Sequence, residues 1–341
     1  MSTIHYKYCT SEIPQQFYGE NNISLLWSKL KRKWDELHSG NVFRYKINDI
    51  EEKLNPERGF NRRHPESMES ICQPFDPAMF NFTKISNKEI IMNISNEIGD
   101  EDIHSIIVNV SPISRYHSLI CPSIKKCLPQ IVTLEMSFFR TLRIGFNSLC
   151  ALASVNHLHY HILVVSYKLH VEYMVYIKMN IYIDYVYCNS IDNSVRAFCF
   201  QIRTSTDIDK VSEKIFKILN YFLKENIAHN IIFTHGEELN GDGSEVIRIV
   251  VWPRKSVVGN KQVQAFNIAI CELSGCGRLV AATFLKMKVR TILLLLAIIL
   301  INCNGPVESR SAFWAPQNLF DIITNKTIDI KNYVKDKSDN I

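Results

Sequence analysis

The chain has 341 residues, 46% of them hydrophobic and 21% charged, a balance that suits a folded protein and excludes general disorder. Its length allows one large domain or two ordinary ones. With 39 basic against 34 acidic residues the formal net charge is only +5. Basic pairs such as Arg62-Arg63 and Lys125-Lys126 are scattered, so nucleic acid is not the expected partner and a small phosphate ligand suits the charge as well. Ten cysteines are spread from Cys9 to Cys303 without a CxxC pair. With no signal peptide read at the N-terminus, reduced thiols in a cytoplasmic protein are expected.

The first clear element runs from about Ile23 to Leu37. Its apolar residues Ile23, Leu26, Trp27, Leu30, Trp34 and Leu37 form the stripe of an amphipathic helix covering a core. Asn22 suits its start and Gly40 its end. Phe43 to Ile47 reads as a short strand. From Asn55 to Lys84, Pro56, Pro65, Pro74 and Pro77 preclude long regular elements, so this stretch is a loop. Within it Arg62, Arg63 and Lys84 suit phosphate contacts, the arginines by bidentate hydrogen bonds, although solvated surface charge accounts for them equally.

Ile103 to Val110 and Ser118 to Cys121 read as strands, with a helix after Pro122. Val171 to Cys188 is aromatic and β-branched, and Arg196 to Ile202 alternates as a strand does. Asp207 to Lys224 has helical spacing at Ile208, Val211, Ile215, Ile218, Leu219 and Phe222. Asn230 to His235 and Val246 to Trp252 are strands, and Phe266 to Leu273 is a strand or a helix. Strands separated by turns, with helices inserted irregularly, predict an α+β fold with a mostly antiparallel sheet and flanking helices. Met287 to Gly305 has a basic start, an apolar run from Ile292 to Ile301 and small polar residues after it. That run is too short for a membrane span, which needs roughly twenty residues. The layout is that of a signal peptide inside a chain, which points to a joined second reading frame or, alternatively, to a hydrophobic anchor. Three parts are expected: residues 1–205, residues 206–284 and an unrelated tail, 285–341. No membrane association is expected for 1–284.

The stretch from Ile144 to Val165 holds His157, His159 and His161 at every second position of an apolar run. In a strand such residues share one face, with Leu158 and Tyr160 on the other. Three chemistries fit. One imidazole could attack phosphorus while its other ring nitrogen is held by a carbonyl or a neighbour. The row could ligate zinc, although no carboxylate or thiolate nearby is a committed ligand. The histidines could also be structural.

The pattern HLHYHILV (His157 to Val164) resembles the histidine triad. The wider context includes GFNSLCALASVNHLHYH, QPFDPAMFNFTK (Gln73 to Lys84), IIVNVSPISRYHSLICP (Ile106 to Pro122), CLPQ (Cys127 to Gln130), VWPRK (Val251 to Lys255) and AFNIAICELSG (Ala265 to Gly275). Together these resemble the GDP-D-glucose phosphorylase family of the histidine-triad superfamily, related to plant GDP-L-galactose phosphorylases and galactose-1-phosphate uridylyltransferases. The resemblance implies two imperfect histidine-triad-like halves. It implies transfer of GMP from a GDP-hexose to inorganic phosphate through a guanylyl-histidine, without metal or other cofactor. His159 would carry the guanylyl group, His157 would orient it and His161 would bond to phosphate. Asn147 and Ser154 match polar positions near the phosphates, and Lys84, Arg62, Arg63 and Arg254 are further candidates for substrate charge. The family usually has glycine near Cys150 and Ala151, and where Tyr116 stands. A histidine-triad nucleotide hydrolase and a non-catalytic GDP-binding copy are the alternatives. The oligomeric state and the preferred GDP-hexose are not legible.

Overall fold

A computed structural model of the chain describes residues 4–8, 20–47, 61, 66–96, 103–132, 143–165, 167–178, 187–189, 196–239, 241, 243–260 and 267–275. Arg62, Arg63 and the tail from 285 onward lie outside the described residues. The strands in chain order are β1 (Ile4–Tyr8), β2 (Ser67–Met68), β3 (Ile90–Asn96), β4 (His104–Val108) and β5 (Ser118–Cys121). There follow β6 (Arg143–Asn147), β7 (Tyr160–Leu163), β8 (Tyr176–Lys178), β9 (Tyr187–Asn189) and β10 (Phe198–Ile202). The last are β11 (Ala228–Glu237), β12 (Glu245–Arg254) and β13 (Gly259–Asn260). The helices are α1 (Glu20–Ser39), α2 (His170–Tyr173), α3 (Ile208–Lys224) and α4 (Ile270–Ser274).

Eleven strands form one sheet in the order β1-β3-β4-β5-β7-β6-β11-β12-β10-β9-β8. Every pairing in it is antiparallel except that of β1 with β3. β2 and β13 pair separately. The expectation of a mixed fold with a mostly antiparallel sheet and few helices therefore holds.

The sheet's two faces carry different work, and alternation along each strand decides which residue goes where. One face presents Ile144 and Phe146 of β6, Tyr160 and Ile162 of β7, Ile231 and Phe233 of β11, and Ile249 and Val251 of β12. Against it pack Leu30 and Trp34 of α1 and Val211 and Phe222 of α3. Burying each such side chain stabilises the fold by about 1.5–3 kcal/mol before entropy is counted. α3 ends where Asn226 takes the left-handed conformation (φ 52°) and Ile227 N–H bonds back to Phe222 O at 2.8 Å. The other face holds Leu163, Ile232, Val250 and Trp252 against Val171 of α2 and Ile270 of α4. The even positions of the histidine stretch thus go to the helix-covered core. The odd positions go to the opposite face.

Several expectations need correction. The first helix begins at Glu20, so Asn22 lies inside it rather than capping it, while Gly40 does follow its last residue. Phe43 to Ile47 is not a strand. Arg44 N–H makes a single bond to Val110 O at 2.9 Å, Tyr45 hydroxyl donates to Pro112 O, and Lys46 donates to the carbonyls of His38 and Gly40, so the segment bends back over the helix end. The helix expected after Pro122 is one 3-10 turn, Ile124–Lys126, bracketed by Ser123 and Cys127 at positive φ (41° and 51°). Phe266 to Leu273 resolves as helix α4 in its described part.

β6 is tied to the sheet's second face by a buried ion pair. Arg143 donates to Glu172 from Nε (2.5 Å) and Nη2 (3.0 Å). Thr234 hydroxyl and Leu169 N–H also donate to the same carboxylate. Burial alone would raise the Glu172 pKa, but these donors hold it below the ordinary value. Gly236 lies so close that an added Cβ would stand 2.5 Å from Glu172 O, a backbone atom that cannot rotate away. At Gly145 the obstacle is instead the Ile270 side chain at 2.9 Å. Urea unfolding should therefore place Gly236→Ala about 3 kcal/mol below wild type and Gly145→Ala only about 1 kcal/mol below, because a side chain can repack.

Candidate active site

The triad straddles the start of a strand. The ladder between β6 and β7 pairs Arg143 with Leu163, Ile144 with Ile162 and Gly145 with His161, and it stops there. Only His161 lies in a regular strand, whereas a strand was expected under all three histidines. The physical reason is Gln130. Its side-chain Oε1 accepts from His159 N–H (2.9 Å), and its Nε2 donates to His159 O and Asn147 O (3.0 Å each). The amide thus replaces the backbone partner that β6 no longer supplies, and the two strands part around it. The chain still alternates: Leu158 and Tyr160 point into the helix-covered core, as expected, and the imidazoles point away from it.

Each imidazole has a distinct setting. His159 donates from Nδ1 to the carbonyl of His157 at 2.8 Å, which leaves Nε2 as the unprotonated nitrogen of a neutral ring. His157 accepts Phe82 N–H on Nδ1 at 3.1 Å, so its proton is on Nε2, a buried atom on the side of the Ile124 backbone. His157 therefore meets His159 through its backbone carbonyl, while its ring packs between Phe75 and Phe82. Phe82 also stands edge-on to His159, with ring centroids 5.2 Å apart. His161 is half-buried, and its Nδ1 is 3.0 Å from Nε2 of His117. Burial lowers the pKa of both His157 and His159 from 6.5 to about 4, offset in part by the Ile124 backbone and the His157 carbonyl respectively.

The other expected residues are distributed unevenly. Asn147, at the end of β6, sits 3.4 Å from His161 Nε2 through its Nδ2 and accepts on Oδ1 from Asn230 Nδ2 (2.6 Å) and Ile270 N–H (3.1 Å). Arg254 joins the same group: its Nη1 donates to Asn230 Oδ1 (3.2 Å) and Ile268 O (2.5 Å), and its Nε is buried without a partner among the described residues. Burial lowers the Arg254 pKa, and the charge of Glu272 opposes that shift. Ser154, half-buried in the loop between β6 and β7, makes no hydrogen bond among the described residues. Lys84 belongs to the turn whose Phe82 holds His157, but its ammonium donates to the carbonyls of Ala78 and Met79. It is thus not brought into the triad's group.

Residues that the sequence did not single out complete the arrangement. Besides Gln130 they are His117, Asn230 and Asn156, whose Nδ2 donates to Gln73 O and Pro74 O while Oδ1 accepts from Gln130 N–H. Their only signal was a polar residue in a segment quoted for the family resemblance, which holds for Gln130, His117 and Asn156 but not for Asn230. Two positions expected to carry glycine take the left-handed conformation: Tyr116 (φ 64°) and Cys150 (φ 58°). Each costs roughly 1–2 kcal/mol relative to glycine. Tyr116 recovers contacts through its edge-on packing against Trp27 and Trp34 and a hydrogen bond to Asp35. The buried Cys150 thiol, raised to about 11 by burial and by Glu69, faces Met68 O. Among the described residues no group of three His, Cys, Asp or Glu side chains is arranged to hold a metal ion.

Two outcomes follow from this geometry. Gln130→Ala leaves three buried backbone groups unpaired and should lower stability by about 3 kcal/mol in urea titrations. A histidine with a folded pKa near 4 and an unfolded pKa of 6.5 contributes stability that is full above pH 6.5 and is lost as the pH falls toward 4. His229, also lowered to about 4 by burial, adds to His157 and His159. Melting temperatures measured from pH 7 to pH 4 should fall across that window, and less steeply in a His229→Phe variant.

The family model described as "GDPGP1-like, N-terminal domain" matches residues 25–163, and that described as "GDPGP1-like, C-terminal domain" matches residues 176–297. GDP-D-glucose phosphorylase 1 of Danio rerio is 33% identical over 276 residues, covering 72% of this chain and 78% of that protein. The protein of the same name in Homo sapiens is 31% identical, covering 71% and 70%. GDP-L-galactose phosphorylase 2 of Arabidopsis thaliana is 28% identical over 45% of each chain. No solved structure matches significantly. With both domain models met in order and this identity across most of the zebrafish and human proteins, the chain belongs to the GDP-D-glucose phosphorylase family.

Proposed function

We propose that the chain is a GDP-D-glucose phosphorylase, a nucleotidyltransferase acting by double displacement on His159. The observation that carries this reading is the 2.8 Å bond from His159 Nδ1 to the His157 carbonyl, which leaves Nε2 as a neutral nucleophile. His159 Nε2 attacks the α-phosphorus of GDP-glucose, a P–N bond forms, and the bond to the β-phosphate oxygen breaks to release glucose 1-phosphate. Inorganic phosphate then attacks the guanylyl phosphorus, the P–N bond breaks, and GDP leaves. A ring whose pKa is near 4 stays unprotonated at neutral pH, so the nucleophile requires no base.

In this reading His161 and Asn147 bond the transferring phosphoryl group, and Ser154 lies along its approach. Arg254 supplies positive charge from the far side of Asn230, and Lys84, Arg62 and Arg63 meet the outer phosphates. Burial of Arg254 without a bonded carboxylate among the described residues supports its part, because a desolvated guanidinium gains from an anion. The sheet's antiparallel β4-β5-β7-β6 and β11-β12-β10-β9 portions are read as two imperfect histidine-triad-like halves. We also infer a division into residues 1–205, 206–284 and a separate tail, although the C-terminal family match runs on to residue 297. The reaction is placed in the cytoplasm, a reading supported by the free thiols of Cys72, Cys121, Cys127, Cys150, Cys199 and Cys271.

The test is release of glucose 1-phosphate from GDP-glucose. It should require added phosphate, and His159→Asn should lower kcat by roughly 10⁴-fold or more, since a nucleophile is lost. Turnover independent of phosphate would indicate a hydrolase. Equal rates in wild type and His159→Asn would end the covalent mechanism.

A further inference from the structure

The bond from His159 Nδ1 to the His157 carbonyl is only as well aimed as the peptide that carries that carbonyl. A planar peptide is fixed when its C=O and its N–H are both bonded. The C=O of the His157–Leu158 peptide accepts from His159 Nδ1 at 2.8 Å, and its N–H, that of Leu158, donates to Leu128 O at 2.8 Å. In the next peptide the His159 N–H donates to Gln130 Oε1 at 2.9 Å. The one after it presents the His159 carbonyl to Gln130 Nε2 at 3.0 Å. Three consecutive peptides around His159 are therefore held from one short segment, Leu128 to Gln130.

That segment is itself braced. Pro129 restricts its middle φ, Ile131 N–H bonds back to Pro129 O at 2.7 Å, and Gln130 N–H donates to Asn156 Oδ1 at 3.0 Å. Gln130 Nε2 also donates to Asn147 O at 3.0 Å, which ties the His159 peptide to the end of β6. The amide has one permitted orientation. A backbone N–H can only donate and a carbonyl can only accept, so Oε1 faces His159 N–H and Nε2 faces the two carbonyls. An ionised carboxylate in its place would set acceptor against acceptor at both carbonyls.

The bonds also act in series. Leu128 C=O, the Leu158 N–H with the His157 C=O, and His159 Nδ1–H line up so that each bond polarises the next. A bond from Nε2 to phosphorus makes the ring cationic, and its Nδ1–H then donates a charge-assisted bond, roughly twice as strong as a neutral one. We infer that Leu128 to Gln130 is a positioning clamp for His159, and that the Gln130 side chain, which need not touch substrate, is the residue that aims its ring. That the aimed ring carries a guanylyl group rests on the phosphorylase reading; the clamp does not.

Two readouts test the clamp in wild type, Gln130→Ala and Gln130→Glu. Long-range 1H–15N spectra should show wild-type His159 as one tautomer protonated on Nδ1, and Gln130→Ala as a mixture. In single turnovers of GDP-glucose without phosphate, Gln130→Ala should form guanylyl-histidine ~100-fold more slowly with GDP affinity within ~3-fold, because it misplaces a reacting group without removing one. Gln130→Glu separates aim from mere stability, and it decides alone if Gln130→Ala does not fold. Burial against two carbonyls raises its carboxyl pKa, and only the protonated acid can donate to either of them. Its rate relative to wild type should rise ~10-fold from pH 8 to pH 6, with the single tautomer returning. Burial holds the wild-type ring's pKa at about 4, so that ring stays neutral throughout the window. Wild-type His159 protonated on Nε2, a tautomer undisturbed in the variants, or a Gln130→Glu defect equal at both pH values overturns the inference. A tautomer that depends on Gln130 without guanylyl transfer upholds the clamp and rejects the phosphorylase reading. Guanylyl transfer with a tautomer indifferent to Gln130 does the reverse.

Discussion

A single side-chain amide stands where two strands stop pairing, and the geometry of the candidate site depends on it. Beyond the Gly145–His161 pair the backbone groups of Asn147 and His159 are buried and need partners. Gln130 supplies one acceptor and one shared donor, so the strands separate without leaving those groups unsatisfied. The separation makes room for the loop from Ser148 to Asn156, and it leaves His159 outside the ladder. Asn156 in turn holds Gln130 by its backbone and the segment at Gln73 and Pro74 by their carbonyls. Three parts of the chain distant in sequence are thus fastened at the point where His159 sits.

Around that point the sheet divides its labour. The face packed against α1 and α3 is mainly apolar, with His229 buried between Phe146 and Phe222, whereas the opposite face carries polar side chains on neighbouring strands: His161, Asn147, Asn230 and Arg254 on β7, β6, β11 and β12, with His117 just before β5. The two faces communicate. Trp34 of α1 donates from Nε1 to His117 O at 3.4 Å, so the helix-covered core also supports the backbone of the residue whose Nε2 lies 3.0 Å from His161 Nδ1.

The site is held under strain and partial desolvation. Tyr116 and Cys150 adopt a conformation that glycine would take without penalty, one immediately before His117 and the other in the loop that Gln130 opens. Such strain persists only where surrounding contacts overdetermine the backbone. Here they do: Tyr116 is packed between two tryptophans, and Cys150 O accepts from Val257 N–H while its thiol lies against Met68 O. Burial likewise keeps His157 and His159 neutral, trading stability in acid for an unprotonated ring at neutral pH.

Much of this was legible along the chain. The apolar stripes of α1 and α3 and the alternation in β4, β5, β10, β11 and β12 follow from local periodicity, because one buried face imposes its period on the sequence. The period-two spacing of His157, His159 and His161 likewise put the imidazoles on the side opposite Leu158 and Tyr160. Local spacing was less informative where polar contacts overrode it, as in Phe43 to Ile47 and in the turn after Pro122. It was silent about Gln130, His117 and Asn230. Asn230 reaches Asn147 across 83 positions and Gln130 reaches His159 across 29, so no window of sequence contains both partners. The sequence by itself determined the main helices, several of the central strands, the core face and the row of histidines. Only the tertiary structure decided which ring nitrogen carries each proton, because a hydrogen bond's direction is set by the partner that folding brings to it.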